Sequence, residues 1–282
     1  RSQVRFLYRP PKKPPHGRGF RRIGASLGSM PKTTRLTAVV DGVWVARSRW
    51  YEMTTTVLLD GSGGAVVVDP GFLPDELAAI PDDLSALGVR CIAGMATHEH
   101  YDHVLWHPGL GPAPRFATPA TVERLEASRD DVLAPLVEYL TPDLIDIAGR
   151  LAVLPDGRLP WTGPTAQCIE HDAHATGHIA VLLPESGVLI AGDMLSDVEL
   201  PMPTGDESLA GYAEGLERLR DAVRAAAWIV PGHGSPGEDA MRRFDADRRY
   251  LDDLIEGRTS DDPRINDLNR ETHESNLDRA RG

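Results

Sequence analysis

The sequence predicts a mixed α/β fold, and three observations lead there. β-Branched runs separated by glycine-bearing turn signals fill residues 36–68. A strand, a helix and another strand follow one another between 65 and 97. The second half, from 166 onward, repeats this succession of strands and helices without repeating the first half in sequence.

Taken in order, runs at 36–40, 43–46, 54–60 and 65–68 are divided by Asp41-Gly42 and by Gly61-Ser62-Gly63-Gly64, the pattern of an antiparallel meander. The second divider lacks the Lys and Ser/Thr of a phosphate-binding loop and reads as a hairpin. From Pro74 to Leu87 apolar residues at 77, 80, 84 and 87 keep a helical period, and Gly88 stops the helix before a strand from Val89 to Thr97. Residues 120–140 read as helix broken at Pro135. Residues 141–165 are too rich in Pro and Gly for an assignment and are expected to form a loop near the site. Strands follow at 166–170, 179–183 and 187–192, a helix near 208–225, a strand at 227–230 and a helix from about 236.

Three segments differ in composition. Residues 1–29 hold eight Arg or Lys and no Asp or Glu, with runs such as Arg9-Pro10-Pro11-Lys12-Lys13-Pro14-Pro15, and are expected to be a disordered basic leader. A targeting leader, a nucleic-acid-binding arm and a stretch upstream of a natural start at Met30 compete for it, and the third is favoured. Residues 30–257 are expected to form the folded domain. Residues 258–282 form a charged tail, either a solvated helix or a flexible end, to which the sequence assigns no function.

From Met30 onward 22 basic residues face 42 acidic ones, a balance that repels polyanions. Nucleic-acid binding is therefore disfavoured and a small-molecule substrate expected. Apolar runs such as Ala65 to Val68 and Val188 to Ala191 fall far short of the roughly 20 residues that cross a bilayer, so no membrane association is expected. Cys91 and Cys168 are too few for a disulfide scaffold and read as core residues, which suits a reducing compartment such as the cytoplasm.

The chemistry concentrates in Thr97-His98-Glu99-His100-Tyr101-Asp102-His103. Imidazole and carboxylate are the usual ligands of zinc and similar ions, and three His with one Asp in six residues gather them where a strand ends. Asp193 ends a second apolar strand in Ala191-Gly192-Asp193, and His233 ends a third in Pro231-Gly232-His233. Singly, such Gly-Asp and Gly-His pairs are commonest as turns and loops. His178 stands in His174-Ala175-Thr176-Gly177-His178.

With these residues in place, the sequence resembles the metallo-β-lactamase superfamily, whose His-x-His-x-Asp-His motif is matched by His98, His100, Asp102 and His103, followed by a His, an Asp and a His, over roughly 36–235. The resemblance implies a four-layer αββα sandwich with two metal ions at one edge. It implies His98, His100 and His178 on the first ion, Asp102, His103 and His233 on the second, and Asp193 bridging, the ions being Zn²⁺ with Fe or Mn as alternatives. His174 is expected to stand behind the ligands, as is Asp69, in Val68-Asp69-Pro70-Gly71, which would orient a ligand histidine. Glu99 is not expected to be a ligand. His107, His171, His16 and His273 read as ordinary surface or hydrogen-bonded histidines, with His107, Trp50, Tyr51, Trp106 and Met202 as candidates to line a pocket.

An acidic Asp193 in place of a cysteine resembles the glyoxalase-like and lactonase-like branches. The stretch 174–178 lacks the proline common before its glycine in thioesterase-like members, and His100 stands where flavodiiron members tend to have a glutamate. The implied reaction is hydrolysis of a small ester, thioester or lactone by hydroxide generated at the two metals, with Asp102 as the catalytic group that orients it and returns its proton. Phosphodiester or nuclease activity and an iron-dependent thiol oxygenase are the alternatives.

Overall fold

The computed structural model describes residues 35–205 and 207–281; the expected leader at 1–29 lies outside the described residues. Two sheets face each other. The first has seven strands in sequence order: β1 Thr37–Val40, β2 Val43–Arg47, β3 Thr54–Leu59, β4 Gly64–Val68, β5 Arg90–Met95, β6 Arg115–Ala117 and β7 Ala152–Val153. The first four are antiparallel, as a meander requires, and β4 to β7 are parallel. The second sheet runs β11 Trp228–Pro231, β10 Val188–Gly192, β9 Ile179–Leu183, β8 Gln167–Glu170, with only the β10–β11 pair parallel.

The two-residue period of a strand explains why the sheets stack. Val66 and Val68 of β4 turn inward against Val181 and Leu183 of β9 and Ile190 of β10, making one apolar layer between the sheets. Ala65 and Val67 turn outward onto Leu77, Ile80 and Leu84 of α1 Pro74–Ala86. On the far side Leu182, Leu189 and Ile229 meet α4 Leu209–Arg218, α5 Arg220–Ala225 and α6 Ala240–Ile255 through Tyr212, Leu216, Val223 and Phe244. The layers are therefore helix, sheet, sheet, helix, the expected αββα sandwich.

Thr118 caps α2 Pro119–Leu133, accepting the Thr121 N–H and donating to the Gly177 carbonyl at 2.7 Å. The segment 141–165, expected as a loop near the site, instead forms α3 Pro142–Ile147 and the edge strand β7. Cys91 and Cys168 are half-buried free thiols on β5 and β8 rather than full core residues. The charged C-terminal segment carries α7 Arg270–Arg281, which packs on α4 and α6. Among the described residues no helix is long and apolar enough to cross a membrane.

Candidate metal centre

The site lies at one edge of the sandwich because five chain segments end or begin there: β4 before Asp69, β5 before 97–103, β9 after His178, β10 before Asp193 and β11 before His233. The two sheets are tied together at this edge. The Thr54 N–H donates to the Gly232 carbonyl at 2.7 Å, and the Ile179 N–H donates to the Thr97 carbonyl at 3.0 Å.

Two groups of ligand-type atoms converge, each within 4.8 Å: His98, His100, His174 and Asp193 in one, Asp102, His103 and His233 in the other. In the first group His100 Nδ1 lies 2.9 Å from His98 Nε2 and 3.0 Å from His174 Nε2, and Asp193 Oδ2 lies 3.5 Å from both Nε2 atoms. In the second, His103 Nε2 and His233 Nε2 are 3.3 Å apart, and Asp102 Oδ2 is 3.4 Å from His233 Nε2. Asp193 Oδ1 faces this second group, 3.1 Å from His103 Nε2 and 3.6 Å from His233 Nε2.

Neighbouring groups select which nitrogen of each ring faces inward. Asp69 accepts the Thr97 N–H and hydroxyl, both at 2.7 Å, and its Oδ2 also accepts from His103 Nδ1 at 2.9 Å. The Thr97 hydroxyl, having donated to Asp69, accepts from His98 Nδ1 at 3.0 Å. His233 Nδ1 donates to the Tyr51 carbonyl at 2.9 Å. In all three rings the outer nitrogen is a donor, so in the neutral form Nε2 turns a lone pair toward the cluster, as a metal-binding imidazole must.

Charge divides the groups further. Burial, reinforced by the surrounding histidines, holds His98 well below its usual range and brings His100 and His174 down to about 4, so these rings are neutral at pH 7. Burial also disfavours charge on His103 and His233, but nearby carboxylates prevail. Asp193, Asp69 and Asp102 hold His103 well above its usual range, and Glu199, Asp193 and Asp102 raise His233 to about 10. In return, and against their own burial, Asp102 is lowered and Asp193 lies well below the carboxylate range. The donor set suits a metal: Asp193 Oδ1 is buried and accepts no well-aligned hydrogen bond, and facing imidazole nitrogens about 3 Å apart are what a cation between them reconciles.

The family model of the metallo-beta-lactamase superfamily matches residues 50–233, from the loop before β3 to the last histidine of the cluster. The chain belongs to the metallo-beta-lactamase superfamily. A hydroxyacylglutathione hydrolase of Synechococcus sp. (strain JA-3-3Ab) is 32% identical over 162 residues, which is 57% of this chain and 56% of the relative. The chain thus spans little more than half the length of the curated relatives it matches. A metallo-beta-lactamase family protein of Thermus thermophilus superposes with a TM-score of 0.60 at 23% identity, covering 78% of this chain and 82% of that one. A sec-alkylsulfatase of Pseudomonas sp. gives 0.61 at 16% identity over 79% of this chain and 42% of its own. At these identities the structural likeness concerns the fold.

Within this superfamily fold the structure brings His98, His100, Asp102, His103, Asp193 and His233 together, and Asp69 stands behind His103. His178, expected on the first ion, falls in neither group. Its Nε2 accepts the Asp193 N–H at 3.3 Å, so the ring lies behind the cluster, and it is His174 that reaches into the first group. The physical reason is position: His178 is locked to the start of β9, whereas His174 sits in the loop ahead of it. Gly192 fits this arrangement, since a Cβ there would stand 2.1 Å from His178 Nε2.

Glu99 turns away from the cluster to Arg124 Nε at 2.8 Å. His107 accepts the Gly109 N–H, His171 is buried against His178, and His273 meets the Tyr250 hydroxyl at 3.0 Å. Trp106 is core beneath Arg115, while Trp50 stacks on Tyr51 and meets Phe72 and Tyr139 edge-on. Sequence reasoning missed Glu199, whose Oε1 lies 3.9 Å from His233 Nδ1 and whose carboxyl burial pushes up to about 7. No motif or spacing marks it.

Proposed function

We propose that this chain is a hydrolase that uses two zinc-type ions to cleave a small ester, thioester or lactone with water. His98, His100 and His174 would hold one ion, Asp102, His103 and His233 the other, with Asp193 between them. The observation that carries this reading is that the two oxygens of one carboxylate, Asp193, each face a different group of imidazole nitrogens. Two divalent cations so placed would bring the pKa of a water toward 7 and polarise a carbonyl oxygen, which supplies a nucleophile and an electrophile at neutral pH.

The protein's own groups have separate tasks. Asp69, Thr97 and the Tyr51 carbonyl fix the orientations of His103, His98 and His233. Asp102, held in its charged form 3.4 Å from His233 Nε2 and 3.9 Å from His103 Nε2, would orient the attacking water and pass its proton to the leaving group. The ligand set suits zinc, with iron or manganese as alternatives. A hydroxyacylglutathione is a thioester, so the named relatives support an acyl substrate. The acidic body favours a small molecule over a polyanion. Free Cys91 and Cys168 fit a cytoplasmic setting.

The test is elemental analysis of the full chain after zinc, iron or manganese supplementation, followed by panels of lactones, thioesters, β-lactams and phosphodiesters. Close to two ions per chain and chelator-sensitive turnover of an ester, thioester or lactone are expected. A protein that takes up no metal under any of these conditions overturns the reading.

A further inference from the structure

Residues 194–205 join the end of β10 to α4 without forming a helix or strand among the described residues, yet they touch both halves of the cluster. The Ser196 hydroxyl donates to the His233 carbonyl at 2.7 Å, and Glu199 stands beside the His233 ring. At the other end Thr204 donates to the His174 carbonyl from its backbone at 3.0 Å and from its hydroxyl at 2.7 Å. A single loop therefore braces one histidine of each group.

A loop of this kind has carbonyls without ladder partners, and buried carbonyls must find donors. Here the C-terminal segment supplies them. Arg264 Nη1 donates to the carbonyls of Ser196 and Glu199 at 3.0 and 2.9 Å. Asn269 Nδ2 donates to Val198 and Asn276 Nδ2 to Pro201, both at 2.7 Å. Arg279 reaches the carbonyls of Gly205 and Glu207. The donors are themselves anchored: Arg264 pairs with Asp247 of α6 and with Asp262, each at 2.7 Å, and Asn276 also meets the Tyr250 hydroxyl at 3.1 Å. Asn269 stands just ahead of α7, and Thr272, Asn276 and Arg279 recur at helical spacing within it, so α7 presents a polar face to the loop.

We propose that residues 264–279 are a positioning element of the metal centre, which through the loop 196–205 fixes His174 and His233 relative to each other. Among the described hydrogen bonds, those of Arg264, Asn269, Asn276 and Arg279 to this region end on loop carbonyls, and these residues act through the loop that carries Ser196, Glu199 and Thr204. The inference rests on the two-ion reading above. Loss of one donor frees a loop carbonyl from the C-terminal segment and lets the loop drift, so the spacing of the two histidines is no longer set. Groups that orient metal ligands typically contribute about 10- to 100-fold to metal affinity.

The experiment uses the full chain with Asn269→Ala, Asn276→Ala, Arg279→Ala and Arg279→Lys. Val223→Ala, in the core between α5 and the second sheet, serves as a variant that destabilises without removing any of the hydrogen bonds to the loop. Zinc retention against a chelator, the absorption spectrum of the cobalt-loaded protein and amide exchange over 196–205 are measured, with thermal midpoints alongside. Asn269→Ala and Asn276→Ala are expected to weaken zinc retention about 10- to 100-fold, shift the cobalt spectrum and speed exchange in the loop. Arg279→Lys should recover part of what Arg279→Ala loses. Val223→Ala should lower the midpoint and leave retention and spectrum unchanged. Wild-type retention and spectrum in both Asn variants, or an equal loss of zinc in Val223→Ala, overturns the proposal. A wild-type chain that binds no metal fails the two-ion reading instead.

Discussion

Asp102 differs from the histidines around it in what its loss should cost. It is a carboxylate held in its charged form beside His103 and His233, able to coordinate and to carry a proton. Asp102→Asn keeps size and one oxygen and loses the proton-carrying function, so turnover should fall by about 10²-fold or more even in fully metallated protein. His98→Ala should act mainly by emptying its group, and added zinc should recover part of the activity. Near-normal turnover in fully metallated Asp102→Asn would leave that residue as a ligand alone. A second comparison separates His174 from His178. His174→Ala is expected to lower the metal content by about one ion per chain. His178→Ala removes only the acceptor of the Asp193 N–H and should retain both ions, with a loss of thermal stability. Loss of an ion in His178→Ala with both retained in His174→Ala would reverse their roles, and equal content in the two would leave them undistinguished. The motif 98–103 was legible because three His and one Asp fall in six positions. His174 and His178 were not separable by sequence, since both flank the same glycine-containing turn. What distinguishes them is that one ring belongs to a strand end packed under Gly192 and the other to a loop.

At the scale of elements, the strands deliver the site because each of Asp69, His98, Asp193 and His233 follows closely on the last residue of a strand at the same edge. The close approach of β10 and β11 there leaves no room for side chains: a Cβ at Gly232 would stand 2.1 Å from Asp193 Oδ1 and 3.0 Å from the Gly192 carbonyl carbon. Gly232→Ala must therefore push Asp193 away from His103 and His233. The expected outcome is a folded protein with near-native circular dichroism that has lost most of its bound metal and activity; full metal content in this variant would show that the carboxylate has another route to both groups. The long strands and α1 were legible because their apolar residues keep a clear period over four or more positions. β6 and β7, with three and two residues, are too short to show one. For the tail, expected as either a solvated helix or a flexible end, the packing of α7 was not legible for a different reason. Its buried residues include Thr272 and Asn276, so it packs through hydrogen bonds, and a search for apolar periodicity passes over it.

For the molecule as a whole, the sandwich sets Asp69, Asp102, Asp193 and Glu199 around one pair of histidines, where they outweigh burial, whereas at the other three histidines burial prevails. In the metal-free protein this makes His103 and His233 cationic at pH 7, whereas His98, His100 and His174 are already neutral. Asp193 lies well below its usual range and Asp102 is lowered, so neither carries a proton that an ion must displace. An ion entering the first group therefore meets free lone pairs, and its affinity should change little above pH ~6, the upper side of the imidazole range that these depressed groups have left behind. An ion entering the second group must expel the protons of His103 and His233. Its apparent affinity should rise as pH rises toward about 10, the value for His233, by about tenfold per pH unit for each proton displaced. The two ions should thus part company on acidification: about two ions per chain near pH 8, and about one near pH 6 at the same free zinc concentration. Equilibrium dialysis against a zinc buffer at both pH values measures the stoichiometry, and calorimetry in two buffers of different ionisation enthalpy counts the protons released with each ion. Because an ion that binds only the folded chain stabilises it, the thermal shift produced by zinc should shrink from pH 8 to pH 6 as the second ion is lost. Parallel loss of both ions, or release of no protons with either, would mean that the carboxylates do not divide the centre in this way.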